Sequence, residues 1–548
     1  MGQGPADDVG GATVNRYERI KADKDGLDVW PELQRAAREG WATLDDDDIV
    51  RLKWYGLYPH NTGDGHFMLR AKVVQGILTN DQAHEIAAIA KDFGRDVIDC
   101  TTRQCVQIHW IRLEHAPEVF ARLEAVGLTT SGACGDITRN IVGSTLAGLD
   151  ADEIVDGAAT AQAIHEHFLG NRLYSNLPRK LKISIAASPR GAARGYINCL
   201  SLFGAIHDDG ARGFNLFAGG GLSSAPRFAR DLDLFGTPEE VPEIVAALVA
   251  TFRDSDEHRR KRGRARLKFL VDDLGVDGLR AEVVRRLGRN PRRAAEAMPT
   301  PDQDDHLGVT AQKDGRFAIG LCVPIGRLSG TLFARAAQLA AEHGNGELRL
   351  THQQNLLIPH VPAERVDALL AEALVRDELQ AEPPLFARAT QSCTGKEFCG
   401  LAKIHTKERA AEIARFLDDR VRRGGHGDDL RLHLAGCSSS CAQHQIADIG
   451  IEGVLKKVDG ELVEAMDIRI GGRVHPEPRF GDVVVRKVPH WELNAVLLRI
   501  LDLYDESRDD GESFRDFAAR VGAAWWPKRL VLEDPDLERA SVAAGEAG

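Results

Sequence analysis

Nowhere in the 548 residues is there a run of about 18 or more apolar positions, so a membrane-spanning helix is not expected. The opening stretch, MGQGPADDVGGATVNRYERIKADKDGLD, lacks the apolar core of a secretory signal, and Ala6 stands where a myristoylation motif wants Ser or Thr. No G-x-G-x-x-G fingerprint occurs, the triple glycine Gly219–Gly221 having the wrong spacing, so no bound flavin or dinucleotide is expected to supply reducing equivalents. Positive charge is not in excess: the net charge of −12 excludes general nucleic-acid affinity while leaving room for a local basic patch that meets an acidic partner. The cysteines number nine, an odd count that argues against a disulfide framework and for thiols that are reduced or metal-bound, as in the cytoplasm.

What is present has the composition of a soluble globular enzyme, 43% hydrophobic and 28% charged. The length predicts about three or four domains. Four cysteines fall in two pairs, Cys393 and Cys399 in QSCTGKEFCGLAK, then Cys437 and Cys441 in AGCSSSCAQHQIADIG, a C-x5-C-x37-C-x3-C spacing. Converging thiolates hold either zinc or an iron–sulfur cluster. The first pair is one residue too wide for a structural zinc knuckle, and four unrelated buried cysteines are the third possibility.

Two segments about 250 residues apart read alike, each as strand, turn, amphipathic helix, strand, strand: Gly65 to Ile111 and Gly315 to Val361. Phe67 aligns with Phe317 and Gly76 with Gly326; after a one-residue gap, Thr102 and Gln104 align with Thr351 and Gln353, which sets His352 opposite Arg103. Such a period indicates a duplicated half-molecule whose halves pair, with the intervening part as an insertion. The expected organisation is an arm carrying surface helices over 1–45, a first half over 46–128, an α/β domain over 129–307 and a second half over 308–380. A cysteine-bearing domain over 381–531 and a disordered tail over 532–548 complete it. Ala294 to Asp305 reads as a linker, and His258 to Leu270 as a basic run on a solvated face.

Cations gather at predicted strand ends: Arg70 and Lys72, Arg103, Arg139, then Arg179, Lys180 and Lys182. Each alone reads as a surface charge, but together, beside glycines and small residues, they suit a polyanionic ligand. Thr102-Arg103-Gln104, Thr138-Arg139-Asn140, Leu177-Pro178-Arg179-Lys180, the Gly219-Gly220-Gly221 turn and the two cysteine pairs followed by Ala447-Asp448-Ile449-Gly450 occur in this order. In this the chain resembles the ferredoxin-dependent assimilatory nitrite/sulfite reductases of the sirohaem and 4Fe–4S type, over about Leu52 to Trp526.

The resemblance implies an α/β (α+β) fold of three domains with pseudo-twofold, ferredoxin-like halves. It implies two cofactors, sirohaem and a 4Fe–4S cluster, with Cys393, Cys399, Cys437 and Cys441 as cluster ligands and Cys441 also bridging to the sirohaem iron. Arg103, Gln104, Asn140, Arg179, Gly219, Gly220 and Gly221 would bind the tetrapyrrole, and Arg70, Arg139, Lys180 and Lys182 would face the substrate. Electrons would come from an acidic ferredoxin, Arg259 to Lys268 being a candidate docking run, and the enzyme is expected to act as a cytoplasmic monomer without nucleic-acid or membrane partners. The loop RNIVGSTLAGLDADEIVD favours nitrite as substrate, and Lys182 favours sulfite. Several sulfite reductases of the family cross-link a tyrosine matching Tyr58 to a cysteine where this chain has Ile137, so that link is not expected here. Ser438-Ser439 replace the family's usual Pro-Asn. Nitrite reduction is the leading expectation, sulfite the alternative. A non-catalytic iron–sulfur or zinc-stabilised protein would leave the cations unexplained.

Overall fold

The computed structural model describes residues 15–189, 194–296, 305–425, 430–475 and 477–530. The expected tail over 532–548 and the centre of the 294–305 linker lie outside the described residues. Two compact units are formed. The first contains the chain up to Gly221, Arg227–Leu321 and Leu328–Ala381; the second contains Leu222–Pro226, Cys322–Arg327 and the chain from Glu382 on. Among the described residues no helix is long and apolar enough to cross a membrane.

In the first unit the two sequence repeats build two five-stranded sheets by exchanging an edge. One sheet runs Leu57–Pro59, His66–Ala71, Val106–Arg112, Val97–Cys100, then Arg327–Ser329, of which Leu328 and Ser329 belong to this unit. The other runs Gly308–Ala311, Phe317–Leu321, Leu356–Val361, Leu348–Leu350, then the first half's own Ile77–Leu78, with Leu348 opposite Leu78. Each half therefore ends in a strand of its twin, and neither sheet is complete alone. The helices Asn80–Phe93 and Gly330–His343 occupy equivalent places in the two halves. The first is started by a Thr79–Gln82 capping box and buries Ala83, Ile86, Ala87 and Ala90 at helical spacing.

The third sheet of this unit runs Arg230–Gly236, Arg212–Ala218, Leu200–Ile206, Ile183–Ala186, Val142–Gly143, the last three parallel. Helices Gly157–Phe168, Val241–Arg253 and Leu267–Leu287 close over it around a core that includes Phe168, Leu202, Phe214, Leu248 and Phe252.

The N-terminal segment differs from the expected surface arm. Helices Arg16–Asp23 and Trp30–Glu39 bury Ile20, Leu33 and Ala36. Even the ammonium of Lys21 is enclosed, donating to the Leu177 carbonyl at 2.6 Å and pairing with Glu18 at 2.6 Å and Asp136 at 3.5 Å. Its polar composition hid this because charged residues there neutralise one another inside the fold.

The second unit is a mixed sheet, Thr390–Ser392, Leu432–Ala435, Ile449–Val458, Glu461–Ile470, Asp482–Pro489, packed by helices Lys407–Arg422, Leu493–Ser507 and Phe514–Val521. Only the first three strands are parallel. That detail positions the cysteines.

Candidate functional site

One edge of the third sheet gathers most of the expected cations. Thr138 bridges Leu181 in parallel and the Arg139 amide donates to the Leu181 carbonyl at 2.9 Å, so Arg139 and Asn140 enter beside Lys180 and Lys182. Ile183 pairs with Leu200 and Leu200 with Ala218, which brings Asn198, Cys199 and Gly219–Gly221 to the same edge. Arg103 reaches it from the first ferredoxin-like half, donating to Asn198 Oδ1 at 2.8 Å and to the Asn140 carbonyl at 2.6 Å. Arg139 is held by its own loop, through Gly135 O at 2.7 and 3.0 Å and Ala133 O at 3.2 Å.

These charges are poorly compensated. Burial, with Arg139 adding, lowers Lys72 to about 8; Cys105 opposes. Arg103 falls to about 10 for the same first reason, with Arg139 and Arg70 adding and the thiols Cys105 and Cys199 opposing. Lys182 is lowered well below the ordinary lysine range by burial, then by Arg103, Lys180 and Arg266. Arg179 falls to about 10 through burial, Arg262 and Arg266, although Asp136 opposes. A set of cations depressed by one another, with thiols as the opposing groups at Arg103, Lys72 and Lys182, fits a ligand that brings several carboxylates. The side-chain atoms Thr138 Oγ1, Asn140 Oδ1 and Arg266 Nε at this edge are buried without a hydrogen-bond partner, as a cradle awaiting a polar ligand would leave them.

Arg266 was not anticipated. It donates to Cys199 Sγ at 3.3 Å, and a side chain at Gly221 would press to 2.9 Å from its Nη2. Gly220 is fixed by packing: a Cβ there would lie 2.2 Å from the Asn198 carbonyl oxygen. Lys268, lowered to about 8 by burial and Arg266, joins the same cluster. Both had been read as part of a solvated basic run, and that reading is corrected. Arg259 pairs with Glu18 at 2.9 Å and donates to Asn176, Arg262 clasps Asp136, and Arg264 pairs with Asp273 at 2.8 Å. A run spent on internal partners is a poor ferredoxin dock.

At the far end of the His66–Ala71 strand, Arg70 donates to Gln107 at 3.1 Å and to Cys134 Sγ at 3.0 Å, and lies over the Tyr58 ring at 5.6 Å. Cys134 also hydrogen-bonds Tyr58, whose hydroxyl is raised first by burial and then by that thiol. Ile137 offers no thiol, as expected, but Tyr58 has a thiol neighbour from another position. Cys134 reaches it from a loop turned by Gly132 and Gly135, both at positive φ, three residues before Ile137.

Gln104, expected at the cofactor, is used elsewhere. Its amide donates to the Gln75 and Leu350 carbonyls at 2.9 and 3.1 Å and its oxygen accepts from Gly143 at 2.8 Å. Gln354 makes the reciprocal bond to the Cys100 carbonyl at 2.8 Å, and both glutamines have positive φ. Gln104 thus corresponds to Gln354, the offset is 250 throughout, and the one-residue gap is a misalignment. Arg103 then corresponds to Gln353, not to His352. The second half lacks the cation all the same, and its equivalent corner is filled: Arg349 donates to the Thr145 and Ala147 carbonyls at 2.9 and 2.7 Å and His352 faces the Gly143 carbonyl at 2.8 Å.

In the second unit the cysteines are placed by two neighbouring parallel strands. Thr390–Ser392 pairs with Leu432–Ala435, Ser392 opposite Leu434, so Cys393 and Cys437 leave adjacent C-terminal ends. Gly395, at φ 75°, turns the chain back under Thr406, and the Gly436 amide donates to Cys393 Sγ at 3.2 Å. Burial and then the Cys441 thiol raise Cys393; burial raises Cys399, with Cys441 and Cys437 adding. The thiols thus sense one another, but among the described residues the only group of His, Cys, Asp or Glu with ligand atoms all within 4.8 Å is Glu342, His343 and Glu372. Zinc at about 2.3 Å from each sulfur would hold its sulfurs about 3.8 Å apart. The four thiols are thus not gathered as tightly as zinc would draw them, and N–H donors to their sulfurs are what an iron–sulfur cluster takes. Cys441 is the exposed member of the four.

Fold and site together define a protein with a duplicated α+β half, a cationic, polyanion-ready edge and a cysteine-bearing mixed sheet. The sequence model described as "Nitrite and sulphite reductase 4Fe-4S domain" matches residues 134–291 and 386–534, and that described as "Nitrite/Sulfite reductase ferredoxin-like half domain" matches 58–126 and 310–375. The chain belongs to the nitrite and sulfite reductase family. It is 36% identical over 541 residues to an assimilatory ferredoxin-dependent nitrite reductase of Haloferax mediterranei, covering 93% of this chain and 92% of that one. To a sulfite reductase [ferredoxin] of Mycolicibacterium paratuberculosis it is 34% identical over 532 residues, covering 93% and 95%. The solved structure of the Mycobacterium tuberculosis NirA protein superposes with a TM-score of 0.88 at 32% identity, covering 94% of this chain and 97% of that one.

Proposed function

We propose that the chain is a ferredoxin-dependent nitrite reductase that takes nitrite through six electrons to ammonium, with sirohaem at the cationic edge and a 4Fe–4S cluster on Cys393, Cys399, Cys437 and Cys441. The observation that carries this is the clustered cation set Arg103, Arg139, Lys182 and Arg266, largely withdrawn from solvent, whose charges call for a ligand rich in carboxylates. Sirohaem is such a ligand, and bound it would supply an iron at which substrate is reduced. Arg103, Arg179 and Arg266 would hold its carboxylates. The relatives named as nitrite reductases, the Haloferax protein among them, support the choice of substrate.

The residues facing the substrate act by charge and proton supply. Arg70 and Arg139, fixed by Gln107, Cys134 and the Gly135 carbonyl, favour an oxyanion and stabilise charge on each departing oxygen. Lys182, with its pKa depressed, gives up a proton more readily than an ordinary lysine, and Lys180 lies close enough to contribute to that depression.

Sulfite reduction is the second reading. Lys182 adds charge that suits sulfite, and the Tyr58–Cys134 contact removes the argument against it drawn from a missing thiol. The first test is the absorption spectrum of the purified protein. Soret and red-shifted visible bands are expected; a brown protein without them would be a plain cluster carrier, and a colourless one a zinc protein.

A further inference from the structure

A reductase fed one electron at a time must offer its donor a place from which the cluster is within easy tunnelling reach. In the second unit the segment after Cys399 has that form. Leu401 is a large apolar side chain 64% exposed, two residues from a cluster ligand. The backbone N–H groups of Leu401 and Ala402 both hydrogen-bond the Cys399 thiol. The exposed leucine is thus coupled to a ligand sulfur through its own amide.

The loop is rigidly mounted. The Lys396 amide donates to the Ile404 carbonyl at 2.9 Å, Ala402 to Cys399 at 3.1 Å, and Lys403 to Gly436 at 2.7 Å, beside the second cysteine pair. The first of these bonds brings the backbone of Lys396 beside that of Ile404, next to Lys403. Both lysines are exposed, as is His405. Lys403 has no carboxylate partner among the described residues, and Lys396 meets Glu464 at 3.4 Å. The nearby acids are already matched: Glu397 by Arg327 at 2.8 Å, Glu464 also by Arg409 at 3.1 Å. On a protein of net charge −12, this is a locally basic rim around an apolar tip.

We propose that the loop Gly400–Lys403, with Leu401 at its tip and Lys396 and Lys403 on its rim, is the surface on which the acidic iron–sulfur donor docks. The proposal rests on the reading of the chain as ferredoxin-dependent. Each docking passes one electron, oxidising the donor and reducing the site, and six dockings complete one nitrite. An apolar centre ringed by opposite charge gives steering and a short-lived complex, which repeated single-electron deliveries require.

The test uses the holoenzyme and two variants, Lys396→Glu/Lys403→Glu and Leu401→Gln, driven in parallel by reduced ferredoxin and by reduced methyl viologen, a small donor that needs no dock. Expected are an at least tenfold rise in KM for ferredoxin in the double variant, loss of most of its salt dependence, and a several-fold rise in Leu401→Gln. Viologen-driven turnover and the visible spectrum should stay as in the parent. Unchanged ferredoxin KM in both variants overturns the proposal, and so does equal loss with both donors in both variants, which would make the loop a support for the cluster. A parent enzyme that turns over with viologen and not with ferredoxin refutes the donor itself, and the docking surface with it.

Discussion

Asp136→Asn tests how the cationic edge is kept open. The carboxylate is 3% exposed; it accepts from Arg262 Nη2 at 3.0 Å, is also bonded by Arg262 Nη1, and lies 3.5 Å from Lys21 Nζ. Breaking a buried ion pair from one side costs about 3–5 kcal/mol. Two features reduce this. Lys21 keeps Glu18 and the Leu177 carbonyl, and the Arg262 side chain, 26% exposed, regains some water. About 2–3 kcal/mol is therefore expected, or a melting temperature lower by roughly 3 °C for a unit of this size. The sign with pH follows from the carboxyl, lowered because Arg262 and Lys21 outweigh the burial that would raise it. Its contribution is complete above the unfolded value of about 3.9 and is lost as pH falls through the folded value. The gap between parent and variant, measured by calorimetry of the holoenzymes, should be full at pH 7 and close toward pH 3. A gap below about 1 °C at pH 7, or one that widens in acid, would refute the reasoning.

Three further outcomes follow from the geometry. Gln104→Leu strands the Gln75 and Leu350 carbonyls and the Gly143 amide, and at about 1–3 kcal/mol for each unsatisfied group should destabilise the paired halves by several kcal/mol, seen as a lower melting temperature with the spectrum of the surviving enzyme unaltered. Lys182→Asn should remove the alkaline limb of the kcat profile: a lysine lowered by burial is a proton donor only below its folded pKa, so parent activity is lost as pH rises through that value, below the usual 10.4 or so. An unchanged profile, with an unchanged nitrite-to-sulfite preference, would dismiss it as donor and selector. Cys441→Ser should damage the absorption of both cofactors, whereas Arg139→Ala should spare the cluster's iron and sulfide content and lower turnover at least tenfold; equal spectra in the two variants would contradict the roles assigned.

The duplication was legible because both copies keep the order of strand, turn and helix and because Gly76 and Gly326 share a turn at positive φ. Its register over the last strands was not. Thr102 and Thr351 look alike in sequence, but Thr101 and Thr351 are the two whose hydroxyls accept from the amide four residues on. The cysteine pairs were legible from spacing; the parallel strand ends that bring Cys393 and Cys437 side by side were not, since the paired strands lie about 40 residues apart in sequence. Arg266 and Lys268 were missed because a basic run reads as solvated when its counter-charges, Glu18 and Asp136, lie more than 100 residues away. The immediate approach of RARLK to a helix that begins at Leu267 was the available signal. Cys134 escaped because the resemblance directed attention to Ile137, while what decides contact is the glycine-turned loop that swings the earlier residue toward Tyr58.

The central claim is that this cationic edge, supplied with electrons through the four thiols, reduces nitrite. It is tested most directly by side-by-side kcat/KM values for nitrite and sulfite with reduced ferredoxin, counting ammonium and sulfide. The account predicts a higher kcat/KM for nitrite, with six ferredoxins oxidised per ammonium formed. A higher value for sulfite, or ferredoxin oxidation without ammonium, would contradict it.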